Sequence, residues 1–168
     1  KLTRNLLKQL NYPLAAPSAN ISTKISPVSK NDVKEEFGKK LNMILDGGQS
    51  KIGVESTIIS LIKKPKVLRL GGIPKHQIKK HLNFNLAYQK KSKIKSPGQE
   101  KIHYSPYIKL RLNIKNPNKN EAFILIKKRK KMNTNYFYLS KKNNLKEAAK
   151  NLYKTLRLIK NKKFKSIA

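Results

Sequence analysis

The residues able to do chemistry in this chain are hydroxyls, amides and glycines gathered at three points. They are Pro17-Ser18-Ala19-Asn20 with Ser26-Pro27, Gly53-Val54-Glu55-Ser56-Thr57, and Leu68-Arg69-Leu70-Gly71. Small polar side chains beside glycines at strand ends let backbone N–H groups approach phosphate oxygens closely, and a single Arg adds a compensating charge. Such a set suits a nucleotide. Serines and glycines are also ordinary turn formers, and on residue chemistry alone the turn reading stands ahead. The substrate stays open at this level.

Several other chemistries drop out. There is no G-x-x-x-x-G-K-[ST] and no G-x-G-x-x-G, so neither a P-loop nor a dinucleotide fingerprint is present. His76, His81 and His103 lack metal-ligand spacing, and the first two do not align on one helical face. Asp and Glu together number 8, and only Asp46 and Glu55 fall near the glycine-rich region. No paired-carboxylate hydrolase and no protein-held metal are expected from so few. The lack of cysteine removes disulfides, thiolate nucleophiles and cysteine-ligated zinc.

The elements that must position these residues follow from periodicity and punctuation. Leu2, Leu6, Leu7 and Leu10 share a helical face, and Asn11-Tyr12-Pro13 ends that helix. Leu14 to Ala16 reads as a buried strand, and Ser29 as the N-cap of a helix from about Lys30 to Lys40. Met43-Ile44-Leu45 reads as a further strand before the Asp46-Gly47-Gly48 turn. Two β-rich runs follow, Ser56 to Ile62 and Val67 to Leu70, then a short helix from Pro74 to Leu82. Residues 83–107 lack sustained periodicity and are read as a linker between a catalytic region, 1–82, and a second α/β unit, 108–168. In that unit Ala122 to Ile126, Tyr136 to Leu139 and Phe164 to Ala168 are expected strands, and Leu145 to Ile159 an amphipathic helix. The fold class is therefore α/β.

The net charge of +32 over 168 residues points, taken alone, to a polyanionic partner such as RNA, DNA or an anionic membrane surface. The charge is nearly all Lys, amid abundant Asn and Ile, while Arg occurs only at Arg4, Arg69, Arg111, Arg129 and Arg157. Adenine- and thymine-rich codons produce that bias in any protein, and scarce Arg weakens the phosphate-recognition reading. The Tyr136-Phe137-Tyr138 triplet alternates faces of a strand and fits a half-buried core better than a base-stacking platform. Without a membrane-length apolar run or a signal-peptide pattern, a soluble cytoplasmic protein is the expectation.

The motif wording resembles the two-domain threonylcarbamoyl-AMP synthases, whose catalytic domain is YrdC-like and is followed by a linker and a smaller Rossmann-like domain. Residues 13–27 resemble P-[IL]-A-A-P-S-A-N-x-S-x-x-x-S-P; Asp46-Gly47-Gly48 resembles D-G-G; Gly53 to Ile58 resembles G-x-E-S-T-[IV]; Val67 to Gly71 resembles V-L-R-P-G. Ser96-Pro97-Gly98 with His103-Tyr104-Ser105-Pro106 resembles the linker motif S-P-G-x-x-x-x-H-Y-x-P. Departures are Leu70 in place of Pro, Thr23 where Gly is common, and Gln99-Glu100-Lys101-Ile102 in place of M-x-Y-R.

The resemblance implies synthesis of L-threonylcarbamoyladenylate and pyrophosphate from L-threonine, bicarbonate or CO2, and ATP with Mg²⁺. The product would pass to a tRNA-modifying threonylcarbamoyltransferase. It further implies that Ser18, Asn20, Ser26, Arg69 and Tyr104 bind ATP, with Arg69 acting electrostatically and Tyr104 closing as a lid. Ala16, through its backbone, and Ser56 would hold L-threonine. It also implies a chain lacking the family's N-terminal basic K-x-R segment and the end of the second domain. A basic module that binds double-stranded RNA or tRNA without catalysis is the alternative, and a carbamoyl-transfer subdomain of a hydrogenase-maturation protein is disfavoured by the linker motif.

Overall fold

The computed structural model describes residues 2–62, 64–88, 102–129 and 133–168. The Ser96-Pro97-Gly98 half of the linker motif lies outside them. Helix α1, Leu2–Lys8, leaves Leu2, Leu6 and Leu7 exposed and stops ahead of Pro13. Helix α2, Lys30–Phe37, starts at Ser29, whose Oγ accepts the Asp32 N–H at 3.3 Å while the Asp32 carboxylate accepts the Val28 N–H at 2.8 Å. The first bond satisfies a donor that the first helical turn leaves orphaned, and the second ties the residue before the cap to that turn. Gly38, at φ +53°, ends α2 and opens a 3-10 turn, Gly38–Lys40.

The first sheet contains β1, Ile58–Ser60, antiparallel to β2, Lys66–Arg69, with β3, Ala87–Tyr88, parallel to β2 on its other side. Helix α3, Lys75–Lys79, lies between β2 and β3 in sequence. Two expected strands do not form. Leu14 to Ala16 and Met43 to Leu45 carry no ladder, and Leu14, Met43 and Leu45 are exposed. An apolar run becomes a strand only where a neighbouring strand accepts its backbone groups, and none lies beside either run among the described residues.

The second sheet is wholly parallel, in the order β4-β7-β5-β6. Its strands are β4, Lys109–Leu110; β5, Glu121–Lys127; β6, Tyr136–Ser140; and β7, Ser166–Ile167. Helix α4, Leu145–Asn161, crosses from β6 to β7, as a parallel pairing requires. Asn144 caps α4 by accepting the N–H groups of Lys146 and Glu147 at 2.8 and 3.1 Å, and buried Ser140 ties that cap to the end of β6. Ala148, Tyr153, Leu156, Arg157 and Ile159 of α4 are buried.

One apolar cluster joins the two parts: Ile25 and Val28 pack with Ala122, Phe137, Tyr153, Leu156, Ile159 and Ile167. A parallel bridge between Lys24 and Ser105 adds a backbone contact, and the Ser105 N–H donates to the Thr23 carbonyl at 2.9 Å. The aromatic triplet in β6 is core material: Phe137 belongs to the cluster and Tyr136 packs edge-on against Phe123.

Candidate functional site

Strand β2 ends at Arg69, and its guanidinium organises what surrounds it. Nε donates to the Ser56 carbonyl at 3.0 Å, one terminal nitrogen donates to Ser56 Oγ at 3.0 Å, and the other to the Tyr104 hydroxyl at 2.8 Å. Glu55 lies 3.9 Å from the guanidinium and accepts a hydrogen bond from Ser26 Oγ. Ser26, Glu55, Ser56, Arg69 and Tyr104 thus form one connected network although they are drawn from positions 26 to 104.

Two glycines permit this closeness. A Cβ on Gly71 would lie 2.3 Å from the Glu55 carbonyl oxygen, and one on Gly53 would lie 2.2 Å from the Lys150 carbonyl oxygen of α4. Gly53 also sits at φ +78°, where a side chain is strained whatever the space. An open depression of about 400 Å³ adjoins the network, lined by Lys51, Ile52, Val54, Glu55, Ser56 and Gly72 among others.

Tyr104 itself is held at φ +54°, and Tyr107 at φ +55°. A bulky residue in the left-handed region costs about 1–2 kcal/mol, so surrounding contacts must impose it. The Tyr104 ring stacks on Tyr153 of α4 at 5.7 Å between centroids and meets His103 edge-on at 4.0 Å. Burial, with Glu55 adding to it, pushes the Tyr104 hydroxyl above its usual titration range against the opposing pull of Arg69. The hydroxyl therefore keeps its proton at neutral pH, and while accepting from Arg69 it can still donate. Thr23, where the resembling motif usually has Gly, adopts φ +71°, a conformation that Gly reaches without strain.

The other sequence-derived candidates stand apart from this network. Ala16 and Ser18 lie in an exposed stretch without regular structure, and the Asn20 amide donates to the neighbouring Ile21 carbonyl at 3.2 Å. Three contributors had no assigned role in the sequence reading. Glu55 was visible in its motif, but Tyr153 and Arg157 carried no local signal. Arg157 is buried, donates to the Ile25 carbonyl at 2.6 Å and lies 3.5 Å from Glu36. Among the described residues no three His, Asp or Glu side chains gather closely enough to hold a metal ion. No helix among them is long and apolar enough to cross a membrane.

Fold and site together define a mixed α/β protein with a hydroxyl-and-guanidinium site at the end of β2, beside Tyr104 and α4. Comparison with known proteins sharpens this. Residues 1–71 match the family described as Telomere recombination, the Sua5/YciO/YrdC group, and residues 73–168 match the family described as Threonylcarbamoyl-AMP synthase, C-terminal domain. Threonylcarbamoyl-AMP synthase of Pyrococcus abyssi is 43% identical over 112 residues, covering 63% of this chain and 33% of the relative. The Bacillus subtilis protein of the same name is 40% identical over 107 residues, covering 60% of this chain and 31% of the relative. The crystal structure of P. abyssi Sua5 complexed with L-threonine superposes with a TM-score of 0.76 at 30% identity, covering 96% of this chain and 53% of that one. A double variant of that protein gives a TM-score of 0.77 at 27% identity, covering 99% of this chain and 54% of that one. The chain belongs to the threonylcarbamoyl-AMP synthase family. It spans about half the length of these solved relatives.

Proposed function

We propose that this chain carries part of the active site of an L-threonylcarbamoyladenylate synthase, which joins L-threonine, bicarbonate or CO2, and ATP with release of pyrophosphate. The observation that carries the reading is the Arg69 fork, fixed by Ser56 on one side and by Tyr104 of the linker on the other. Family membership supports it, as does a solved relative complexed with L-threonine.

The chemistry asks for little beyond position and charge. An oxygen of threonine carbamate attacks the α-phosphorus, the bond to the bridging oxygen breaks, and pyrophosphate departs. A preorganised guanidinium stabilises the charge that develops on the phosphoryl oxygens without having to reorganise. Arg69 takes that part. Its pairing with Glu55 at 3.9 Å is loose enough for a phosphate oxygen to compete.

The hydroxyls divide by proton direction. Ser56 Oγ accepts from Arg69, so its own proton is available for the carboxylate of L-threonine, with the Ala16 backbone as a second contact. Ser26 gives its proton to Glu55 and offers lone pairs instead, which suits a ribose hydroxyl or the adenine amine better than a phosphate. Tyr104 accepts from Arg69 and donates onward to ATP, covering the nucleotide as a lid, and Ser18 and Asn20 complete the ATP contacts. Magnesium, with no protein cluster to hold it among the described residues, would arrive on the ATP phosphates and supply further charge neutralisation there. Transfer of the product to a tRNA-modifying threonylcarbamoyltransferase completes the reading. A non-catalytic RNA-binding role is the weaker reading, since the β6 aromatics Phe137 and Tyr136 serve the core.

The test is pyrophosphate release by the full-length protein. It should require L-threonine, bicarbonate and ATP together, and Arg69→Ala should lower kcat/KM by about 100-fold, the scale of one preorganised charged contact. Arg69→Lys should recover part of that, because an ammonium cannot reproduce the fork. ATP cleavage indifferent to threonine, or full activity in Arg69→Ala, overturns the assignment.

A further inference from the structure

Helix α4 packs on the second sheet, yet one of its faces meets three segments that carry or flank the Arg69 network. Lys150, Tyr153 and Arg157 follow each other at helical spacing and so lie on the same side of α4. The Lys150 carbonyl fills the space that a Gly53 side chain would need, at the start of the loop that carries Glu55 and Ser56. Tyr153 stacks on Tyr104, whose hydroxyl meets Arg69. Arg157 holds the Ile25 carbonyl, next to Ser26, and pairs with Glu36 of α2.

These three contacts touch three segments far apart in sequence, two of which are also joined by the Lys24–Ser105 bridge. The loop at 53–56, the linker at 104 and the strand-like stretch at 25–26 are each met once, by one helix face. Arg157 and Glu36 are both almost fully buried, so this clamp is shielded from solvent and cannot be replaced by water without cost. Tyr104 keeps a left-handed backbone that only imposed contacts can maintain, and its ring is met by Tyr153 stacked at 5.7 Å and by its neighbour His103 edge-on at 4.0 Å.

We infer that α4 is a template for the nucleotide site, with Tyr153 and Arg157 as positioning residues that set Tyr104 against Arg69 and hold Ser26 beside Glu55. Tyr153 reaches the ligand through Tyr104, and Arg157 through the Ile25 backbone. The C-terminal unit therefore contributes to ATP binding through one helix face, without lending a side chain to the ligand. This rests on the proposed use of the site for ATP, and not on threonine being the second substrate.

A double-mutant cycle on ATP binding tests it in the full-length protein, by calorimetric titration with Tyr104→Ala, Tyr153→Ala and the pair together. Tyr153→Ala should weaken ATP binding about tenfold, and should weaken it no further once Tyr104 is already Ala, since coupled contacts are not additive. Tyr153→Phe keeps the stacking ring and should restore wild-type affinity, which separates positioning from a simple loss of core volume. Unfolding temperatures of the same variants report packing independently, and a merely structural Tyr153 would lower them while leaving ATP affinity unchanged at temperatures where the variant is folded. Unchanged affinity in folded Tyr153→Ala, or losses that multiply in the double variant, overturns the template. Wild-type protein that binds ATP but releases no pyrophosphate with threonine overturns the functional reading alone, and the cycle still decides the role of α4. Wild-type protein that binds no ATP overturns both.

Discussion

Residues 2–88 and residues 102–168 spend their apolar side chains differently. Among the described residues the buried apolar set contains four from the first stretch, Ile25, Val28, Val67 and Leu86, against nine from the second. The first stretch instead exposes Leu2, Leu6, Leu7, Leu14, Met43 and Leu45, and its three helices contribute no apolar residue to the buried set. The second closes a parallel sheet under α4 and supplies most of the shared core. The contrast teaches that the two stretches resist change by different means. The second is held by packing, whereas the first is held by caps, turns and its contacts with α4.

The largest effect should come from the packed stretch. Ile159→Ala removes a side chain with 0% exposure and should cost about 4 kcal/mol, measured by thermal unfolding. A cost under about 1 kcal/mol would show that this core does not carry the stretch. Next comes the seam between the two: Gly53→Ala drives a Cβ into the Lys150 backbone at a positive φ and should cost about 3 kcal/mol, with loss of ATP affinity.

Acid should weaken the second stretch through Glu121. Glu121, with 0% exposure, accepts two hydrogen bonds from Arg111 at 2.9 and 2.6 Å, and these chiefly hold its carboxyl down to about 2. A folded pKa below the unfolded one adds stability that is present above the unfolded value and is lost as pH falls through the folded one. Stability should therefore decline between about 4.5 and about 2, and Glu121→Gln should flatten that decline in an acid titration followed by circular dichroism. A decline unchanged in Glu121→Gln would place the acid sensitivity elsewhere.

Smaller effects belong to the first stretch. Ser29→Ala should cost about 1 kcal/mol through the lost N-cap of α2. Thr23→Gly should change stability by about 0.5 kcal/mol or less, relief of the φ +71° backbone offsetting the extra freedom of the unfolded chain. Leu7→Ala, at 44% exposure, should likewise stay within about 0.5 kcal/mol. A large loss there would mean that α1 is covered in the protein under test.

The sequence was most informative where local rules and packing agree. Asn144 before an amphipathic run yields α4, and the alternation in Tyr136 to Ser140 yields β6, because cap and periodicity coincide with burial on the sheet. Leu14 to Ala16 and Met43 to Leu45 show the reverse, since apolar residues alone do not supply a strand with a hydrogen-bonding neighbour. At the site, Ser56 and Arg69 were visible because glycines and hydroxyls mark their turns, and Tyr104 because its motif could be matched. Tyr153 and Arg157 were not, for a helix face looks the same in sequence whether it meets solvent, core or another unit's backbone. Arg157 bonds a carbonyl 132 positions away, a distance no local pattern encodes.

The seam at Gly53 also bears on heredity. Its tolerance is set by a missing atom, with Lys150 carbonyl oxygen and Cα at 2.2 and 2.6 Å from where a Cβ would stand. Any single-base change in a glycine codon that replaces the residue introduces that atom, whichever amino acid results. Position 53 thus has no neighbouring codon for another amino acid through which the gene can drift gradually, and neither does position 71, where a Cβ would lie 2.3 Å from the Glu55 carbonyl. Lineages could leave either glycine only after α4 or the 55–57 backbone had first moved aside.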